Sequence, residues 1–387
     1  MVLKFLNGVW AIPILLLIRA TRRVVHVKLF MIESHRIGAF IPQTLHLLNH
    51  FSNSTKTLVL FGTYKVSNQY WLRIIKESGL PIYGWWVKYL FLWNKYLPSA
   101  TKYIQNYESF NEVFQTSATK QDISKLINAD LNIQKSGEAW LKSFGWTHDE
   151  PIICLIVRDN NYLNTNLPLK RGANWNYHDY RNSDINTYID AVSWLVDQGY
   201  WVIRMGRNMK YPANFMHDKF IDYSFLKNQT DWLDIWLFSK ANFTISTGVG
   251  PDIITPLCKL PILYINALPI NQAASFFNSV WVPKKLNWYH GQPFAISDYL
   301  NFSFSNSTEY SSNKIEILDL SSPEILAYVQ EFVHIKTSGF RLSEIETKAQ
   351  LKFWSLFYSY EKNIQYSHLK HPKALISPKW LRKQQDH

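Results

Sequence analysis

Six consecutive apolar residues, Ile152 to Val157, constrain the fold of this chain more than any other feature. A strand with one wet face alternates, so an unbroken run of this length marks a strand covered on both faces, as in the middle of a parallel sheet. The residues that follow repeat the theme. A polar stretch, 159–183, leads into a helix with Ser183 as its expected cap, apolar positions at Ile185, Tyr188, Ile189, Val192, Leu195 and Val196, and Gly199 as its stop. Strands are then expected over Tyr200–Met205 and Phe220–Tyr223. A helix over Asp231–Ala241 capped by Thr230, a strand over Phe243–Ser246, a helix over Pro251–Lys259 opened by its proline and a strand over Ile262–Ile265 complete the run. Strands alternating with helices at this spacing predict a doubly wound parallel sheet in an α/β protein.

A second, less regular unit precedes it. Val24–Ile32 reads as a strand running into the turn Glu33-Ser34-His35-Arg36-Ile37-Gly38 and a helix through Leu45 and Leu48. Thr57–Phe61 reads as a strand, Gln69–Lys76 as a helix closed by Gly79 and Pro81, 83–96 as an aromatic-rich stretch, and 120–149 as helix followed by a polar connection. After the regular unit come an Asn- and Ser-rich loop over 301–313, a helix from Ser321-Ser322-Pro323-Glu324 through Phe332, an aromatic helix over 343–360 and a basic tail. A length of 387 residues fits two to three domains, with divisions expected at 1–30, 31–150, 151–340 and 341–387.

Composition excludes several classes. At 47% hydrophobic and 18% charged residues the chain can bury a large core. No run approaches 18 apolar residues, which excludes a polytopic membrane protein. Cys154 and Cys258 are too few for a disulfide framework or a four-cysteine zinc site, and they suit a reducing cytoplasm. Lys and Arg number 41 against 29 Asp and Glu, a formal charge of +12 concentrated at the two ends. No helix-turn-helix, zinc-finger or RNP-like motif accompanies it, so nucleic acid is not the expected partner. The ten apolar residues from Val9 to Ile18 precede Arg19, Arg22 and Arg23 and are too few to span a bilayer. They fit either an interfacial helix on the anionic inner face of the cytoplasmic membrane or the first core helix of the globular domain. Asn-x-Ser/Thr triplets at Asn228, Asn242 and Asn301 are what chance gives in a chain this rich in Asn and Ser.

The sharpest chemical signal is the run from Phe243 to Asp252, in which a strand ends at Ser246-Thr247-Gly248 and a helix is expected to open. Backbone amides and the positive end of a helix dipole make such a turn an anion site, with Ser246 and Thr247 as hydroxyl donors and Asp252 in the opening helix. Ile253 breaks the GxGxxG spacing and no Gly-Lys-Ser/Thr occurs, so neither the dinucleotide fingerprint nor a Walker loop is present. Arg158 and Arg204 lie at predicted strand ends and Arg181 stands just before a helix, in His178-Asp179-Tyr180-Arg181-Asn182. Ligands of open α/β sheets bind at the carboxyl ends of the strands, and arginine suits phosphate. Structural ion pairs, to Asp159 for instance, are the competing reading. In the first unit Gly38 permits close backbone approach or a simple turn, with Arg36 beside it. His35, Glu33 and Asp179 are the candidate proton acceptors. No Asp-x-Asp and no HExxH occurs, so neither a metal nor another cofactor is expected.

Taken in order, the strand ending in Arg158-Asp159, the segment His178-Asp179-Tyr180-Arg181-Asn182-Ser183, Gly199-Tyr200-Trp201-Val202-Ile203-Arg204-Met205-Gly206, Ser246-Thr247-Gly248 and Lys259-Leu260-Pro261 resemble a bacterial family of surface-carbohydrate glycosyltransferases. Arg36-Ile37-Gly38 and Ile376-Ser377-Pro378-Lys379-Trp380-Leu381 are similar to its terminal motifs, although Ala39 stands where that family often has His. The resemblance implies a GT-B-like fold of two Rossmann-like domains facing across a cleft, with the last helix, within 343–387, crossing back onto the first domain. It implies a nucleotide-sugar donor, held in the second domain by Arg158, Arg181, Arg204, Ser246, Thr247 and Gly248, with Asp252 of that domain and Arg36 and Gly38 of the first as further donor-site candidates. It also implies a surface-polysaccharide or lipid-linked glycan acceptor. A nucleotide-sugar epimerase of the same fold, or a non-catalytic protein stacking glycans on the aromatics of 83–96, are the alternatives.

Overall fold

A computed structural model describes residues 8–51, 57–63, 65–78, 82–104, 123–166, 175–275, 277–337, 339–360 and 372–384. It divides into two compact units, Met1–Asp122 and Ile123–His387. The boundary falls at 122/123 rather than at the expected 150/151, because two helices of the second unit begin directly after it.

The first unit opens with helix α1 (Ala11–Ala20), whose Ala11, Leu15 and Ile18 share one buried face. Strand β1 (His26–Ile32), helix α2 (Ile37–Phe51), strand β2 (Thr57–Thr63), helix α3 (Gln69–Glu77), the two-residue strand β3 (Ile82–Tyr83) and helix α4 (Val87–Asn94) follow. The strands are parallel in the order β1-β2-β3. Asn68 caps α3 by accepting from the Trp71 amide at 2.8 Å. Gly79 and Pro81, the expected stop of that helix, lie outside the described residues. The described residues of 1–30 are not a separate element. Ala11, Leu15, Ile18, Val27 and Leu29 share one core cluster with Leu60, Val87 and Leu90. Each such side chain, fully buried, stabilises by about 1.5–3 kcal/mol.

The second unit begins with helices α5 (Ser124–Asn128) and α6 (Leu131–Lys142) and then builds the predicted sheet. Its next elements are β4 (Ile152–Ile156), α7 (Asn161–Asn166), α8 (Ile189–Asp197), β5 (Trp201–Arg204), β6 (Phe220–Ile221), α9 (Asp231–Lys240), β7 (Phe243–Ser246), α10 (Ile254–Leu257), β8 (Ile262–Ile265) and β9 (Ser279–Val282). Strand β10 (Lys285–Trp288), helices α11 (Ile296–Asn301) and α12 (Ser307–Ser312), and strand β11 (Ile315–Leu318), antiparallel to β10, come after. Helices α13 (Ser322–Thr337) and α14 (Glu344–Ser359), strand β12 (Leu375–Ile376) and helix α15 (Pro378–Lys383) end the described chain. The seven-stranded sheet is parallel, in the order β12-β9-β8-β7-β4-β5-β6. With β4 as its first strand this is the 3-2-1-4-5-6 order of a doubly wound sheet, extended by one strand. All five residues of β4 are buried, as an unbroken apolar run demands.

Three expectations are corrected. Ser183 does not cap the helix before α8. Asp184 does so by accepting from the Asn186 amide at 2.9 Å, and the Ser183 hydroxyl turns to Asp319 at 2.7 Å. The loop expected over 301–313 contains α12, capped by Asn306. The described part of 343–387 belongs to the second unit: Phe353, Trp354, Phe357, Ile376 and Trp380 lie in its core, and β12 pairs with β9.

Candidate functional site

The order of the sheet reverses between β4 and β7, so the chain leaves these neighbouring strands in opposite directions and opens a crevice at their carboxyl ends. Arg158 stands just beyond β4, and Thr247 and Gly248 just beyond β7. The Thr247 hydroxyl accepts the Arg158 amide proton at 2.9 Å and closes the backbone across the switch point. The Ser183 amide donates to the Arg158 carbonyl at 3.0 Å, which brings the Arg181-Asn182-Ser183 segment to the same place. A guanidinium N–H of Arg181 donates to the Gly248 carbonyl. Gly248 has φ +77°, the left-handed region where a side chain strains the backbone, so the turn requires glycine.

Arg158 and Arg181 thus come together, and their charges act on each other. Burial, and then the Arg181 charge, pull the Arg158 pKa down to about 10, so it stays cationic near neutrality. Among the described residues neither arginine forms an ion pair. The Nε and Nη2 of Arg158 and the Nε of Arg181 are buried without a hydrogen-bond partner there. Asp159, the expected partner of Arg158, is taken by backbone amides: it accepts from Asn161 at 2.9 Å and from Lys210 at 2.8 Å. Asp179 is nearby and accepts from Asn182 Nδ2 at 2.8 Å and Asn160 Nδ2 at 3.4 Å. Two partly buried like charges, with Asp159 and Asp179 acting on Arg158 without forming an ion pair, favour a multivalent anion.

The turn itself is used differently from the expectation. The helix over 251–259 is a 3-10 turn, Gly250–Ile253, followed by the four-residue α10. Its amide end is already satisfied from within. Asp252, 5% exposed, accepts from the Val249 amide at 2.8 Å and from the Ser246 hydroxyl, which in turn accepts from the Gly248 amide at 2.9 Å. Ser246, Thr247 and Asp252 therefore shape the turn, and Asp252 fills the place assigned to a phosphate. Burial raises the Asp252 pKa to about 6.

Arg204 is also corrected. It is 1% exposed and pairs with Asp222 at 2.9 Å, donates to the Tyr211 carbonyl at 2.9 Å and lies 5.5 Å from the Phe225 ring centroid. It is a structural cation. In the first unit Arg36 and Glu33 are exposed, His35 is half-buried in the turn after β1, and Gly38 lies in the first turn of α2 without a positive φ. Burial, then the neighbouring Arg36 charge, lower the His35 pKa, so its imidazole is neutral near pH 7.

The structure adds residues that the sequence reading missed. Lys284, 3% exposed, donates to Asp319 at 2.5 Å and to the Asn182 carbonyl. Asn266, fully buried, donates to the Ser183 hydroxyl at 3.0 Å and accepts from the Leu320 amide at 2.9 Å. Together they hold the segment that carries Arg181. The signal was a lysine two residues beyond a strand, but β9 itself was not foreseen. Among the described residues no group of three or more His, Cys, Asp or Glu is placed to hold a metal ion.

No protein-family model matches the sequence, and a search of curated proteins finds no match. Solved structures of other proteins are similar, among them the following three. ADP-heptose lipopolysaccharide heptosyltransferase II of E. coli is 9% identical, with 62% of this chain and 86% of that one covered at a TM-score of 0.39. A family 9 glycosyl transferase from Veillonella parvula is 9% identical, with 79% and 96% covered at 0.44. A protein assigned as a UDP-N-acetylglucosamine 2-epimerase from Listeria monocytogenes is 11% identical, with 65% and 82% covered at 0.33. At such identities and scores they say nothing of this chain's chemistry.

Proposed function

We propose that this chain is a GT-B-type glycosyltransferase that moves a sugar from a nucleotide-sugar donor to a surface-polysaccharide or lipid-linked glycan acceptor. The observation that carries the reading is the pair Arg158 and Arg181, without a built carboxylate partner among the described residues, at the switch point of a 3-2-1-4-5-6 sheet. The donor's diphosphate would lie against both guanidinium groups. The acceptor oxygen would bond to the anomeric carbon as the bond from that carbon to the diphosphate oxygen breaks. Both charges would stabilise the departing nucleoside diphosphate. The acceptor proton would pass to a base, for which His35, Glu33 and Asp179 are the candidates.

Thermal unfolding against UDP, GDP, CMP, ADP and their sugars tests the donor site. One nucleotide class at 100 times its dissociation constant should stabilise the protein by about 2.7 kcal/mol. At the same concentration the stabilisation should fall below about 1 kcal/mol in Arg158→Ala and in Arg181→Ala. No stabilisation by any of them overturns the nucleotide-sugar reading. Conversion of the bound nucleotide-sugar to its epimer without an acceptor would assign the same site to an isomerase.

A further inference from the structure

Helix α1 is apolar on both sides. Ala11, Leu15 and Ile18 turn into the core, while Pro13, Ile14, Leu16 and Leu17 face outward, the two leucines at 52% and 63% exposure. No polar side chain occurs from Ala11 to Ile18. An outer helix face in water is normally polar, and a helix that is hydrophobic all round needs cover on both sides. Helix α4 packs beside α1 and continues the patch with Leu92, with Trp85 and Tyr96 exposed at its two ends. The rings of Trp10, Tyr89 and Trp85 join the two helices, with centroids 5.6 Å and 6.2 Å apart in sequence.

The charge around this face has one sign. Residues 8–32 and 82–104 contain Arg19, Arg22, Arg23, Lys28, Lys88, Lys95 and Lys102 and no Asp or Glu. Arg19 is spent inside the unit, donating to Asn94 at 2.7 Å, whereas Arg22, Arg23, Lys95 and Lys102 are exposed. Ten residues of helix rise about 15 Å, half a hydrocarbon core. Among the described residues no helix is long and apolar enough to cross a membrane.

We propose that this face of the first unit lies on an anionic lipid surface. Trp10, Ile14, Leu16, Leu17 and Trp85 enter the boundary between headgroups and acyl chains, and Arg22, Arg23 and Lys95 meet the lipid phosphates. Exposed leucines beside tryptophan, tyrosine and a purely basic rim match an interfacial helix on an anionic lipid surface. The proposal does not depend on the transferase reading, because its test measures binding alone.

Flotation of the full chain with phosphatidylcholine vesicles, with and without phosphatidylglycerol, tests it. The protein should float with the anionic vesicles, and barely with phosphatidylcholine alone. The double variant Leu16→Ser, Leu17→Ser should partition at least tenfold less. The pair Arg22→Gln, Arg23→Gln should lose about twentyfold. All four side chains are exposed, so an unchanged thermal midpoint checks that the fold is intact. Absence of flotation with anionic vesicles, or flotation undiminished in the leucine variant, overturns the proposal. A dimer that the leucine variant dissociates, without flotation, overturns it as well and assigns the face to a second copy.

Discussion

One edge of the large sheet carries two kinds of arginine. At the end of β5 and just beyond it, Arg204 and Arg207 are closed: Arg204 pairs with Asp222 at 2.9 Å, and Arg207 with Asp231 at 2.8 Å and Asp234 at 2.7 Å. Beyond β4, one strand away, Arg158 lies beside another arginine, and neither forms an ion pair among the described residues. A buried cation with a fixed carboxylate is part of the scaffold. A partly buried cation beside a second cation, with the nearby Asp159 and Asp179 held by other donors, is only partly compensated, and an incoming anion can supply what the chain does not.

The largest effect should come from opening a closed pair. Arg204→Met leaves the Asp222 carboxylate, which also accepts from the Ala213 amide at 2.9 Å, facing a vacated site in the interior. Loss of about 3–5 kcal/mol is expected, read from the urea midpoint of the second unit's transition. Nucleotide binding should persist wherever the protein remains folded. A variant as stable as the parent that no longer binds nucleotide would reverse the roles of the two regions.

At the open pair the expectation inverts. Arg158→Ala and Arg181→Ala should each lower nucleotide affinity by about thirtyfold, or about 2 kcal/mol, by removing charge-assisted hydrogen bonds to phosphate. Stability should be unchanged or slightly raised in Arg158→Ala, which relieves a repulsion, whereas Arg181→Ala also gives up the bond to the Gly248 carbonyl and should lose about 1 kcal/mol at most. Calorimetric titration beside urea unfolding measures both quantities. A stability loss like that of Arg204→Met would show that the pair is structural after all.

This contrast also marks what a sequence can reveal. The central strands were legible because β4 is buried along its whole length and has no polar face to blur its signal. The cations at the strand ends were legible for the same reason. Their partners were not. Asp222 follows Arg204 by 18 residues and lies beyond a different strand, so no local pattern links the two. Asp252 was visible six residues after Ser246, yet its side chain turns back to satisfy the turn that was expected to hold phosphate. Short elements were lost for want of periodicity. Strand β12 has two residues, and β9 begins with Ser279, which is fully buried and accepts from the Trp281 indole at 3.1 Å. Pro251 and Pro256 lie in one short stretch and divide the expected helix into a 3-10 turn and a single α-helical turn.

The smallest predicted effect tests whether the open region is fully open. Asp252 is near enough to Arg181 for that charge to lower its pKa, but burial dominates and holds it up at about 6. An unfolded aspartate titrates near about 3.9. Between those values the carboxyl is protonated in the fold and ionised in the unfolded chain, so unfolding releases a proton. The contribution of Asp252 to stability is therefore complete below about pH 4 and is lost as pH rises through about 6, with a slope near 1 kcal/mol per pH unit. Asp234 is also raised to about 6, so the parent's own pH profile mixes the two groups. Asp252→Asn keeps an acceptor for the Val249 amide, and subtracting its profile from the parent's isolates this carboxyl. Urea midpoints from pH 4 to pH 7 should show a slope in the difference. A flat difference would mean that Asp252 is ionised throughout. It would then serve Arg181 as a counter-ion at acid as well as neutral pH, instead of only above about pH 6.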